Sequence, residues 1–161
     1  MSLTKDETAS SIGIRLIEAD HDEIARLLVE VQATVAAGSG RHLILDILGR
    51  LAAFTRTHFA LEEGLMVSTG YSGYGEHRRR HQYLLQELDG FTFLYSMDKL
   101  ELDQAPLMFL YSWLAVHSQN DDAQYVAWLA ARDVAPGQTG EAIPALNGWA
   151  ECENTVEKGA A

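Results

Sequence analysis

Residues 58–81 read HFALEEGLMVSTGYSGYGEHRRRH, and this stretch decides the architecture. His58 and Glu62 lie at i, i+4, as do His77 and His81, so in a helix each pair shares one face a turn apart. Between them, Gly70-Tyr71-Ser72-Gly73-Tyr74-Gly75 is a loop by composition. Each pair is embedded in a longer apolar stripe. Upstream run Leu43, Ile47, Leu51, Phe54, His58, Leu61/Glu62 and Leu65; downstream run His77, His81, Leu84, Leu88, Phe91 and Tyr95. Steps of three and four residues are the signature of a helix, and neither block alternates as a half-buried strand would.

Two further blocks repeat the pattern. Ile14, Ile17, His21, Ile24, Leu28, Val31 and Val35 form one, which stops at Gly38-Ser39-Gly40. Leu107, Leu110, Leu114, His117, Asp121 and Trp128 form the other, with Asp103 as a candidate N-cap and Pro106 tolerated in the first turn. Four amphipathic helices with short connections predict an all-α, up-down-up-down four-helix bundle over residues 12–132. Beyond it, residues 133–161 carry two prolines, four glycines and no sustained periodicity. They read as a largely irregular C-terminal tail that Trp149 could dock on the bundle.

Composition narrows the function classes. A chain of 161 residues fits one domain, and 47% apolar residues suffice for a packed core. Twelve Lys and Arg against 23 Asp and Glu give a net charge of -11, a surface that repels phosphate backbones and argues against a nucleic-acid partner. Cys152 is the one cysteine, so neither an intramolecular disulfide nor an iron–sulfur cluster is available. The N-terminus is polar, without the form of a secretory signal. The longest apolar run, Ala105 to Val116, is about 12 residues where a membrane span needs about 20. The expectation is a cytoplasmic protein without a membrane partner.

The histidines carry the chemistry. Five of six, His21, His58, His77, His81 and His117, fall on the apolar stripes; His42, at the start of the second block, falls outside and is expected to face solvent. A lone histidine on such a face is most often an ordinary core residue with a hydrogen-bond partner. Five in one small core need compensation that a metal or several carboxylates would supply. With Glu62 they form a His/carboxylate set without thiolate, suited to Fe, Mn or Zn. Competing motifs are absent: there is no His-Glu-x-x-His, no P-loop and no dinucleotide fingerprint. A single Glu-x-x-His (Glu18 to His21) lacks the second copy that a ferritin-like site requires. On the fourth helix Asp121 and Asp122 compete. At 3.6 residues per turn i+4 shares the face of His117, whereas i+5 lies about 140° away, unless a local π-bulge intervenes.

From Ile12 to Leu129 the chain resembles the hemerythrin family, and in particular its single-domain bacterial members. The likeness rests on Asp20-His21, on His58-Phe59-Ala60-Leu61-Glu62-Glu63 with Leu65-Met66, on Gly70-Tyr71, on His77-x-x-x-His81, and on Leu110-Tyr-Ser-Trp113-Leu114-Ala-Val-His117 leading to Asp122-x-x-Tyr125. The resemblance implies a non-haem, oxo- or hydroxo-bridged centre of two iron ions. In it His77, His81 and His117 hold one iron, His21 and His58 the other, and Glu62 and Asp122 bridge. The family spacing of i+5 selects Asp122, leaving Asp121 as an outer acid. Five imidazoles, two carboxylates and a bridging oxygen fill eight of nine positions on two face-sharing octahedra. The open position, on the two-histidine iron, implies reversible O2 binding for storage, delivery or scavenging. Peroxide or nitric oxide reduction and O2 or redox sensing are the alternatives at the same site. Trp113 and Leu114, one turn before His117, are the expected apolar wall of the O2 pocket. Glu63 is expected to be exposed or to accept an imidazole N–H. A monomer, served by an O2-consuming enzyme or a reductase, completes the expectation. The chain departs from the family pattern at Ser118, where isoleucine usually follows the fourth-helix histidine.

Overall fold

The computed structural model describes residues 9–133; the expected tail, and Trp149 within it, lie outside the described residues. Helix α1 spans Ala9–Ala36, α2 Arg41–Thr69, α3 Tyr74–Ser96, α4 Gln104–Val116 and α5 Ala123–Asp133. Between α4 and α5 the chain stays helical but widens into a π turn, His117–Asp122, so these three pieces form the fourth rod of the bundle. No strand occurs among the described residues. Helix α1 packs on α2, α2 on α3, and α4 and α5 return to α1. Short connections make sequential helices antiparallel, the four-helix bundle that the periodicity predicts. No helix among the described residues is long and apolar enough to cross a membrane.

The connections follow from their residues. Gly70 caps α2 in the left-handed region, φ 70°, and the Tyr71 N–H returns to the Met66 carbonyl at 2.9 Å, closing the end of the helix as a left-handed glycine permits. Helix α3 begins at Tyr74, inside the segment whose composition reads as loop. The reason is local: the His77 N–H bonds the Gly73 carbonyl at 3.1 Å, which recruits Tyr74 and Gly75 into a first turn. Gly73 leaves room for the Tyr71 ring, which a Cβ there would meet at 2.6 Å and force to shift. At the start of α4, the Asp103 carboxylate accepts the Ala105 N–H at 3.2 Å, the capping role expected of it.

Two apolar clusters make up the core. The larger joins Ile24, Leu28, Ile47, Leu51, Leu88 and Leu114 among others; the smaller joins Ile17, Met66, Tyr125 and Leu129. Between them every rod turns polar. His21 separates Ile17 from Ile24 on α1, His58 and Glu62 separate Leu51 from Met66 on α2, and His117 to Asp122 separate Leu114 from Tyr125 on the fourth rod. On α3, His77 and His81 precede the buried Leu84 and Leu88. A buried leucine or isoleucine contributes about 1.5–3 kcal/mol, so the clusters hold the bundle together. The polar layer between them must recover its desolvation in another way.

Candidate metal centre

All seven predicted ligands are buried in this layer. Ligand atoms of Glu62, His77, His81, His117 and Asp122 lie within 4.8 Å of one another, and those of His21, His58 and Asp122 form a second such group. The Nε2 atoms of His77 and His117 each stand 2.9 Å from that of His81. Glu62 Oε2 is 3.3 Å from the Nε2 of both His77 and His81. Asp122 divides its carboxylate: Oδ1 faces His117 and His77 at 3.1 and 3.3 Å, and Oδ2 faces His21 at 2.9 Å. It therefore belongs to both groups. His42 is exposed, as its position outside the stripe predicts.

The π turn settles which aspartate faces inward. Needing about one residue more per turn than an α-helix, it brings i+5 back toward the face of i. Asp122 reaches His117 Nε2, on the inner side of the ring, while Asp121 accepts from Nδ1 on the outer side at 2.9 Å. His81 Nδ1 likewise donates to Glu63 at 3.0 Å, and His58 Nδ1 to Asp20 at 3.3 Å. Outer carboxylates of this kind fix the tautomer and direct Nε2 to the centre. Phe59 completes the packing: its ring stacks on His81 with centroids 3.7 Å apart and 4° between planes, and meets His117 edge-on at 5.4 Å.

Charge in the layer is strongly perturbed. Burial would lower His77 and His117, but the carboxylates beside them win and both are pushed up to about 9: Asp122 and Glu62 for His77, Asp121 and Asp122 for His117. Burial and the neighbouring His21 lower His58. Asp122 is held well below the usual carboxylate range; burial opposes this, and the close imidazoles of His117, His21 and His77 outweigh it.

The donor set fits a metal. With Nδ1 of His81 and His117 donating outward, their Nε2 atoms stand 2.9 Å apart; in the neutral rings that metal binding requires, these are lone pairs turned toward each other, which no hydrogen bond satisfies. His21 Nδ1 and Nε2, His58 Nε2, Glu62 Oε1 and both oxygens of Asp122 are buried without a hydrogen-bond partner; the contact between His21 and Asp122 is at ion-pair distance but off hydrogen-bond geometry. So many inward-facing lone pairs become coordination once cations sit among them.

The predicted pocket residues belong to the adjoining core. Leu114 is fully buried in the larger cluster, and Trp113 packs against that cluster half-buried, its indole N–H without a partner. Ser118, next to His117, is buried with an unpartnered hydroxyl, as is Thr55, three residues before His58. Sequence spacing gave no role to Phe59, Asp20 or Thr55. Phe59 adjoins a predicted ligand but sits off its i, i+4 line, and Asp20 acts on a histidine of another helix, a contact that local periodicity does not encode.

The hemerythrin HHE cation-binding domain model matches residues 12–129. A bacteriohemerythrin of Pseudomonas paraeruginosa is 27% identical over 114 residues, 71% of this chain and 73% of the relative. One of Clostridium acetobutylicum is 27% identical over 132 residues, 78% of this chain and 99% of the relative. A myohemerythrin of Sipunculus nudus is 33% identical over 78 residues, 48% of this chain and 59% of the relative. No solved structure is significantly similar. Together with the His/Glu/Asp cluster that fits a di-iron site, the family match over most of the chain has one consequence: this protein belongs to the hemerythrin HHE family.

Proposed function

We propose that the chain binds O2 reversibly at a di-iron centre. His77, His81 and His117 would hold one iron, His21 and His58 the other, with Glu62 and Asp122 shared between the two. The observation that carries this reading is the division of the Asp122 carboxylate, one oxygen toward His77 and His117 and the other toward His21. Iron held there would supply the reducing electrons and the place where O2 binds.

The chain's own residues do the rest. Asp20, Glu63 and Asp121 fix imidazole tautomers. Phe59 walls one side of the histidine cluster, and the larger apolar cluster, with Leu114 in it and Trp113 packed against it, closes the adjoining part of the bundle. Keeping water out in this way slows irreversible oxidation, which carriage requires. Turnover of peroxide or nitric oxide is the second reading, favoured by the buried, unpartnered hydroxyl of Ser118, which follows His117 where the family usually has isoleucine.

Optical spectra of anaerobically reduced, iron-loaded protein separate the two. A visible charge-transfer band that appears with O2 and vanishes under argon supports carriage. Direct conversion to an oxidised spectrum without that band overturns it in favour of turnover.

A further inference from the structure

The run Arg78-Arg79-Arg80 separates the two histidines of α3, and the fold uses its members differently. Arg79 pairs with Glu76 on the surface of its own helix. Arg80 reaches across to Asp121 of the π turn, binding Oδ1, while Oδ2 of the same carboxylate accepts His117 Nδ1–H at 2.9 Å. Arg78 reaches the other way, to α2: its Nε is 3.5 Å from Glu63 Oε2, and Glu63 Oε1 accepts His81 Nδ1–H at 3.0 Å. The same device thus occurs twice. In each, a carboxylate spends one oxygen on an arginine and the other on an imidazole. Each runs from solvent to core: side-chain exposure falls from 49% at Arg80 through 9% at Asp121 to 2% at His117. Arg80 also lies 3.7 Å from Glu76.

We propose that Arg80 and Arg78 are positioning residues for the metal centre, acting through Asp121 and Glu63 on His117 and His81. The inference rests on the ligand assignment proposed above. A carboxylate at the protein surface is drawn to water, and its rotation away would leave the imidazole N–H without an acceptor. The guanidinium opposes that rotation by holding the outer oxygen, so the inner one stays on Nδ1. An imidazole with a carboxylate behind it is a more basic ligand. Both arginines therefore strengthen the three-histidine position. At the two-histidine position the support differs: His58 leans on Asp20 at 3.3 Å, and His21 Nδ1 is buried without a partner. The two metal positions are built with unequal donor strength.

Cobalt(II) titration of the full chain, followed by chelator competition and ligand-field spectra, tests this without O2 chemistry. In Asp121→Asn, affinity at the tighter position should fall about 10–100-fold, the usual effect of losing an outer partner. Arg80→Gln, one step further out, should cost about three- to tenfold and shift the ligand-field bands, and Arg80→Lys should recover most of both. In the Asp121→Asn background, Arg80→Gln should add nothing, because residues acting in series are not additive. Additive losses overturn the proposal. So does an Arg80→Gln variant with lowered thermal stability but unchanged affinity and spectrum, since Arg80 would then only staple α3 to the π turn. Wild-type protein that takes up no cobalt overturns the ligand assignment, and the positioning role with it.

Discussion

Removing the proposed metal from this bundle should cost it a large share of its stability, and the structure gives the size. Four of the proposed ligands, His21, His58, Glu62 and Asp122, contribute six buried polar atoms without a hydrogen-bond partner. Each such group costs about 1–3 kcal/mol, so the metal-free layer carries a gross penalty on the order of 6–18 kcal/mol. Ion-pair contacts offset part of this, such as His21 with Asp122 at 2.9 Å, which leaves about 5 kcal/mol as a working figure from the low end. Whole domains of this size are stable by only about 5–15 kcal/mol. At about 2–4 °C per kcal/mol, chelation should lower the melting temperature by at least 10 °C. The assay is thermal unfolding by circular dichroism under argon, comparing the protein with two equivalents of ferrous iron against the chelator-stripped chain. Hydrogen exchange should show the loss concentrated between Ile17 and Ile24 and around the π turn, with the larger apolar cluster best protected. A melting temperature that moves by less than about 3 °C would refute the reasoning, because the layer would then be satisfied without metal.

Asp122→Asn should reduce bound iron from two equivalents to one by elemental analysis, since Asp122 faces both ligand groups; two retained equivalents would remove it from the bridge. Ser118→Ala should stabilise the protein by up to about 1 kcal/mol in denaturant unfolding by deleting a desolvated, unpartnered hydroxyl, and a clear loss would reveal a partner bound through water. Tyr125→Phe removes the 3.3 Å contact between Tyr125 Oη and Thr69 Oγ1. It should cost no more than about 1 kcal/mol, because Thr69 keeps its bond to the Leu65 carbonyl at 2.7 Å. In the metal-free protein His77 and His117 sit at about 9, above their ordinary 6.5. Their contribution to stability is fully present below 6.5 and lost as pH rises toward 9. Metal affinity should rise over that same interval, because binding requires neutral imidazoles. Melting curves and titrations that move in the same direction would contradict this.

Much of the fold and the site was legible because both are written in helical periodicity. The stripes carrying Ile17, Ile24 and Leu28 or Leu51 and Leu88 run into the observed core, and the histidines interrupting those stripes lie at the observed layer. Asp103 capped α4 as its residue type and place require. What stayed hidden depends on contacts between helices. Asp20 finds His58 across 38 residues and Arg80 finds Asp121 across 41, and no spacing rule within one helix reports either. A run of three arginines reads as a solvated face until the carboxylates opposite are known. Phe59 is a similar case, because whether it stacks on His81 depends on the position of α3 relative to α2.

Asp121 and Asp122 show where local periodicity and the needs of a site part. An α-helical continuation of α4 would bring i+4, Asp121, onto the inner face and turn Asp122 away. The observed turn gives both residues to His117, Asp122 on the inner nitrogen and Asp121 on the outer. One histidine thereby gains a neighbour among the candidate ligands and an acceptor behind it from consecutive residues. A regular helix could not do this from i+4 and i+5, since i+5 there lies about 140° around from i. The cost is a widened turn with poorer backbone bonding, placed in the polar layer where the flanking clusters, Leu114 on one side and Tyr125 on the other, hold the rod in register.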